Sequence, residues 1–111
     1  MNHSFTIITV VYNDFKNIEL TIKSVLNQSY FDIEYILIDG GSNDGTLDII
    51  NLYQNKISYV ISEKDNGIYD AMNKGIDLAT NDWVIFMNSG DIFNSKMILN
   101  DISKYLDTSF S

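Results

Sequence analysis

The sequence predicts an α/β fold, a parallel sheet flanked by helices and cut to about four β-α units. Three observations predict it. Short apolar runs rich in β-branched residues alternate with segments whose apolar residues recur at helical spacing. Each run stops at a polar or acidic tip. No repeat, linker or low-complexity segment breaks the alternation, and its order β-α-β-α-β-α-β-α demands right-handed crossovers.

The first strand is Phe5–Val11, a buried run broken by Asn13 and Asp14, which can cap the helix after it. Ile18, Ile22, Val25 and Leu26 mark that first helix, and Ile33–Ile38 the second strand. Leu47, Ile50 and Tyr53 mark a second helix, with Asp44 or Ser42 as its expected cap. Ile57–Ile61 is the third strand, and Ile68, Met72, Ile76 and Ala79 form the next helical stripe. Trp83–Met87 is the fourth strand; Ile98, Leu99, Ile102 and Leu106 give the last helix. Trp83 is expected as a core or rim aromatic, and Met72, Met87 and Met97 as core filler.

Composition removes several function classes. A net charge of −8 with no arginine argues against nucleic acid as a partner. Without cysteine there is no disulfide, thiolate metal site or thiol nucleophile, which fits a reducing, cytoplasmic setting. The single histidine, His3, falls in an N-terminus expected to fray, so oxygen ligands remain the plausible metal chemistry. No apolar stretch reaches the roughly 18 residues of a membrane span.

In a parallel sheet the strand C-termini share one edge, where ligands of open α/β sheets bind. That edge would collect Tyr12, Asn13, Asp39, Glu63, Asp65, Asn88 and Asp91. The tip Asp39-Gly40-Gly41-Ser42-Asn43-Asp44-Gly45-Thr46 lacks the lysine of a Walker loop and cannot carry G-x-G-x-x-G. Being acidic, it needs a cation between itself and any phosphate. Asp39 reads either as a turn or cap residue or as an acceptor for a ligand's N–H and hydroxyl groups. Asp91 reads either as a turn residue or as a single-oxygen ligand for Mg²⁺ or Mn²⁺. Asn73 and Lys74 point away from the Ile68/Met72/Ile76 stripe, onto a solvated face or toward a nucleotide.

Four ordered motifs carry a resemblance over residues 4–106. They are Ile8-Thr9-Val10-Val11-Tyr12-Asn13, the run Ile38–Thr46, the run Ser62–Gly75, and Phe86-Met87-Asn88-Ser89-Gly90-Asp91. Together they resemble the nucleotide-binding half of a family 2 glycosyltransferase with the Rossmann-like GT-A fold, similar to bacterial enzymes that build surface polysaccharides. The resemblance implies a nucleoside-diphosphate sugar held by Val10, Val11, Asn13, Asp39, Gly40, Asp65, Asn73, Lys74 and Asn88. It implies Mg²⁺ or Mn²⁺ on Asp91, with Asn88-Ser89-Gly90-Asp91 standing where the family has Asp-x-Asp. Many members carry a second Asp where Gly40 stands.

The family reaction inverts the anomeric centre and needs a carboxylate base that lies in the acceptor half, after the metal motif. Residues 1–111 therefore read as one truncated donor domain, with catalytic residues unknown and a glycan or lipid-linked acceptor as partner. Self-association or a split partner at the exposed sheet edge, and a peripheral place at the membrane, belong to the same expectation. Two alternatives stand beside it. One is a non-catalytic subunit that keeps the fold for assembly or regulation. The other is a receiver-like signalling domain, which would need an acid pair where Tyr12-Asn13 ends the first strand.

Overall fold

A computed structural model describes residues 3–110, with the side chains of residues 109 and 110 outside the description. The elements are β1 (Phe5–Val11), α1 (Ile18–Leu26), β2 (Ile33–Asp39), α2 (Thr46–Leu52), β3 (Tyr59–Ser62), α3 (Ile68–Leu78), β4 (Trp83–Phe86) and α4 (Ile98–Phe110). The four strands form one parallel sheet in the order β3-β2-β1-β4. The chain thus adds β2 and β3 to one side of β1, then crosses to add β4 on the other. That reversal creates a switch point beside the C-terminus of β1.

All seven residues of β1 are buried, because helices cover both faces of the central strands. On one face Phe5, Ile7, Val11, Tyr35 and Leu37 pack with Ile18, Ile22 and Val25 of α1, Ile50 of α2, and Leu99 and Leu106 of α4. On the other face Ile8, Val10, Ile36 and Ile38 pack under α3 through Ala71. The second contact is tight. A Cβ on Gly75 would come 2.6 Å from Cγ2 of Ile8, so glycine lets α3 settle onto β1. Buried Thr9 and Tyr35 satisfy each other through a 2.8 Å hydroxyl bond, and burial pushes the Tyr35 phenol well up.

The sequence expectations hold for all four helices, with corrections at the ends of strands. β2 runs one residue further, so Asp39 still pairs with Val11 and Ser62. β3 begins at Tyr59 rather than Ile57, because α2 runs on into a 3-10 turn over Gln54–Lys56 and Ile57 leaves that turn. β4 ends at Phe86, although Met87 stays buried and donates its N–H to Ile8. Asn13 and Asp14 do not cap α1 with their side chains; Asn17 takes the cap position, and the Asp14 carbonyl accepts from Asn17 and Ile18.

His3 is not frayed. Its Nε2 lies 2.7 Å from the Asp107 carboxylate, which ties the N-terminal segment to α4. Trp83 is a rim aromatic on the outer strand β4, with its ring edge against His3. Met97 is exposed rather than core filler.

Candidate functional site

Four strand tips meet at one edge and enclose an open cavity of about 760 Å³. Val10, Val11, Tyr12, Asn13 and Asp14 form its floor from the β1 end. Gly40, Gly41, Lys64, Asp65, Gly67, Ile68 and Ala71 form the β2/β3 wall, and Asn88 and Ser89 the β4 wall. The location is the switch point that the strand order creates.

The β1 and β2 tips are laced together. Asn13 holds φ +48°, a left-handed conformation that Asn tolerates better than most residues. It places Oδ1 to accept the Asn43 N–H and its own N–H to donate to the Ser42 hydroxyl, both at 2.8 Å. Asp14 donates its N–H to Thr46 Oγ1 at 3.0 Å, and Phe15 donates to Asp44 Oδ2. Asp44 also accepts the Thr46 N–H at 3.0 Å and the Thr46 hydroxyl. It holds the start of α2 as expected, from one residue before the cap position, which Gly45 takes. The hydroxyl bond is the main reason its carboxyl stays below the usual range.

Asp39 is the largest departure from expectation. It is fully buried, and its carboxylate turns into the loop rather than the cavity. Oδ2 accepts the N–H groups of Gly41 and Ser42 and the Ser62 hydroxyl, at 3.2, 3.0 and 2.7 Å. Oδ1 accepts the Ser42 hydroxyl at 2.5 Å. The residue therefore shapes the tip, and the backbone of Gly40 and Gly41 faces the cavity in its place.

Asp65 lies on the opposite side of Gly40. Its Oδ1 accepts the Gly67 N–H at 3.1 Å, while Oδ2 sits 2.8 Å from where a Gly40 Cβ would be. Lys74 lies outside the cavity: its ammonium bridges Glu63 at 3.1 Å and Asp70 at 3.5 Å. Partial desolvation opposes its charge, but the bonds and charges of Glu63 and Asp70 outweigh this and raise its pKa. Asn73 is exposed on α3 and does not line the cavity either.

At the β4 tip, Ser89 donates its hydroxyl to Asp14 Oδ2 at 2.8 Å and its N–H to Val10. The Gly90 N–H donates to the Thr21 hydroxyl at 2.9 Å. Asp91 is exposed just beyond the wall; its Oδ2 accepts the Asn88 N–H at 3.0 Å. Asn88 Oδ1 is buried without a hydrogen-bond partner, an atom left wanting a donor or a cation. Among the described residues no three His, Cys, Asp or Glu side chains cluster as a metal cage. Sequence reasoning missed Asp14, Gly41, Lys64, Gly67, Ile68, Ala71 and Ser89 as cavity-lining residues. The Asn66-Gly67 pair was the available signal for one of them, since Gly67 takes φ +106° to start α3.

The sequence profile described as Glycosyl transferase family 2 matches residues 6–108. The chain belongs to that family. Family 2 membership and the four-stranded parallel sheet together set aside the receiver-like alternative. The chain is 38% identical over 90 residues to a PGL/p-HBAD biosynthesis glycosyltransferase of Mycobacterium bovis, covering 78% of this chain and 35% of that protein. It is 34% identical over 98 residues to a cholesterol galactosyltransferase of Borreliella burgdorferi, covering 86% of this chain and 27% of that protein.

The crystal structure of S. aureus TarS with UDP-GlcNAc superposes with a TM-score of 0.85 at 28% identity, over 95% of this chain and 31% of that one. A Pyrobaculum calidifontis mannosyltransferase in complex with GDP-Man and Mn²⁺ superposes at 0.85 with 21% identity, over 96% and 33%. At that identity the likeness speaks for the fold alone. The chain spans about a third of the length of the relatives it matches. No helix among the described residues is long and apolar enough to cross a membrane.

Proposed function

We propose that residues 3–110 form the donor-binding part of a glycosyltransferase, which holds a nucleoside-diphosphate sugar in the cavity at the strand tips. The observation that carries this reading is the cavity itself. It lies at the switch point, in a family 2 chain, with side-chain-free glycine backbone on one wall and unsatisfied oxygen chemistry on the other. TarS, 28% identical, is known with UDP-GlcNAc, which supports a nucleotide sugar as the ligand class.

The donor set at the β4 tip fits a hard divalent ion. Asp91 has a carboxylate oxygen beyond the one that accepts the Asn88 N–H, and the orphaned Asn88 Oδ1 is an amide oxygen. Mg²⁺ takes oxygen ligands and is commonly held by one or two carboxylates together with substrate phosphates. Asp91 would hold the ion, with Asn88 beside it. When bound, the ion supplies Lewis-acid stabilisation to the departing diphosphate. The chain's own residues do the rest: Val10, Val11 and Asn13 shape the floor, the glycine wall receives the nucleoside, and Ser89 is held in place by Asp14. Transfer to an acceptor hydroxyl with inversion requires a base, which this reading places in the acceptor-binding half.

Calorimetric titration with UDP and GDP in the presence of Mn²⁺ tests the assignment. Binding is expected for the wild type, and it weakens about tenfold or more in Asp91→Ala, the scale of losing one charged contact. Equal binding in both proteins overturns the metal assignment, and absence of binding to any nucleotide overturns the site.

A further inference from the structure

We propose that Thr21 of α1 is a positioning residue for the β4 tip, whose hydroxyl locks the turn Asn88–Asp91 in the form that keeps Asp91 beside Asn88. The inference rests on the metal reading above and adds a residue that does not line the cavity. Thr21 is fully buried on the inner face of α1, together with Ile18, Ile22 and Val25. A hydroxyl in such a place costs stability unless it is bonded. Its Oγ1 accepts the Gly90 N–H at 2.9 Å.

That bond falls on the peptide that decides the turn. Asp91 donates its N–H to the Asn88 carbonyl at 2.8 Å, which closes four residues into a β-turn. Types I and II of such a turn differ by a flip of the peptide between the second and third residues. Here that peptide joins Ser89 to Gly90. Gly90 at φ +99°, after a Ser89 that is not left-handed, marks type II. Glycine adopts either form readily, so Gly90 itself does not choose between them. Thr21 does, because it receives the N–H of that same peptide. Ser89 is held from the other side, by the Val10 carbonyl and the Asp14 carboxylate.

The lock is the first contact of a polar stripe. Ser24, three residues further along α1, accepts the Phe93 N–H at 3.1 Å. Gln28, just past the helix, accepts the Leu99 N–H at 3.2 Å and donates to the Ser95 carbonyl at 2.6 Å. Spaced three and then four residues apart, Thr21, Ser24 and Gln28 share one face. They bind a segment, residues 91–97, that has no helix or strand of its own. Their reach differs, however. Gln28 ties down the entry to α4, whereas Thr21 bonds the residue next to Asp91. Of the three, Thr21 alone acts on the peptide that sets Asn88 and Asp91 together.

The test compares wild type with Thr21→Val, which keeps the shape and loses the acceptor, and with Thr21→Ser, which keeps the hydroxyl. Gln28→Leu is the structural control. UDP and GDP are titrated calorimetrically with Mn²⁺ and with EDTA, the ratio of the two affinities gives the metal-dependent gain, and urea midpoints report folding. Thr21→Val should lose about tenfold of that gain, the scale of one hydrogen bond, with its affinity in EDTA unchanged. Thr21→Ser should restore the gain. Hydrogen exchange at the Gly90 amide, without metal or nucleotide, should quicken in Thr21→Val and not in Thr21→Ser. Gln28→Leu should lower the urea midpoint and leave the gain intact. In Gly90→Ala the new methyl meets open space, but the left-handed φ is strained, so the peptide should flip and the gain fall as in Thr21→Val. That exposed site carries the test if Thr21→Val does not fold. An intact gain in folded Thr21→Val or Gly90→Ala, or an equal loss in Gln28→Leu, overturns this inference and leaves the metal site standing. A wild type that binds equally with Mn²⁺ and with EDTA, or binds neither nucleotide, removes the metal reading and the inference together.

Discussion

The β2 and β4 tips carry the same kinds of residues and are finished in opposite ways. At the β2 tip every oxygen of Asp39 is met by protein donors, and Ser42 and Ser62 are spent on it. At the β4 tip Asn88 Oδ1 has no partner, and the exposed Asp91 carboxylate accepts a single backbone N–H. A closed tip is architecture, whereas an open tip waits for a ligand. An acid that comes after a strand is therefore classified by what already bonds to it.

The comparison breaks most visibly through stability. Asp39→Ala removes a buried acceptor and leaves two N–H groups and two hydroxyls unsatisfied, a loss on the order of 3 kcal/mol or more. Urea unfolding should show a much lower midpoint for Asp39→Ala and an unchanged one for Asp91→Ala. Equal midpoints would erase the distinction between the two tips.

The packing beneath the tips gives the next effect. Gly75→Ala places a methyl against Ile8 and should cost about 1–3 kcal/mol by overpacking. A companion Ile8→Leu in the same background, which removes the Cγ2 methyl at the 2.6 Å contact, should recover part of it, and no recovery would locate the strain elsewhere.

The smallest effect concerns pH. Hydrogen bonds from Thr46 hold Asp44 below the ordinary carboxylate range, and the Asn66 N–H does the same for Asp70, helped by Lys74. Burial opposes ionisation of Glu34, but bonds from Thr80 and Thr6 win and lower it as well. Their folded pKa values lie below the unfolded ones. The stability they add is present above the normal range and drains as pH falls through the folded values. The melting temperature should hold from neutrality to about pH 5 and decline below about pH 4. A decline that already begins between pH 7 and 6 would contradict this account of the carboxylates.

Much of this was legible in the residues. Phe5–Val11 was readable in full because a strand covered on both faces is apolar throughout. Asn13, Gly40, Asp65 and Asn88 were readable because a parallel sheet gathers strand tips at one edge. The start of β3 was not, since Gln54–Lys56 wind into a 3-10 turn with no apolar signature. The direction of the Asp39 carboxylate was not either, because it depends on Ser62, brought alongside only by strand pairing. For Lys74 the sequence left a solvated face and a nucleotide contact open, because its pairing with Glu63 and Asp70 depends on the fold.

The central claim is that the open cavity among the tips, and no other surface, receives a nucleoside diphosphate. Amide ¹H–¹⁵N correlation spectra recorded while UDP and Mg²⁺ are added test it directly. The account predicts the largest shifts at Gly40, Gly41, Gly67 and Ser89, with Ile102 and Leu106 of α4 unmoved. Shifts centred on α4, or none anywhere at millimolar nucleotide, would contradict it.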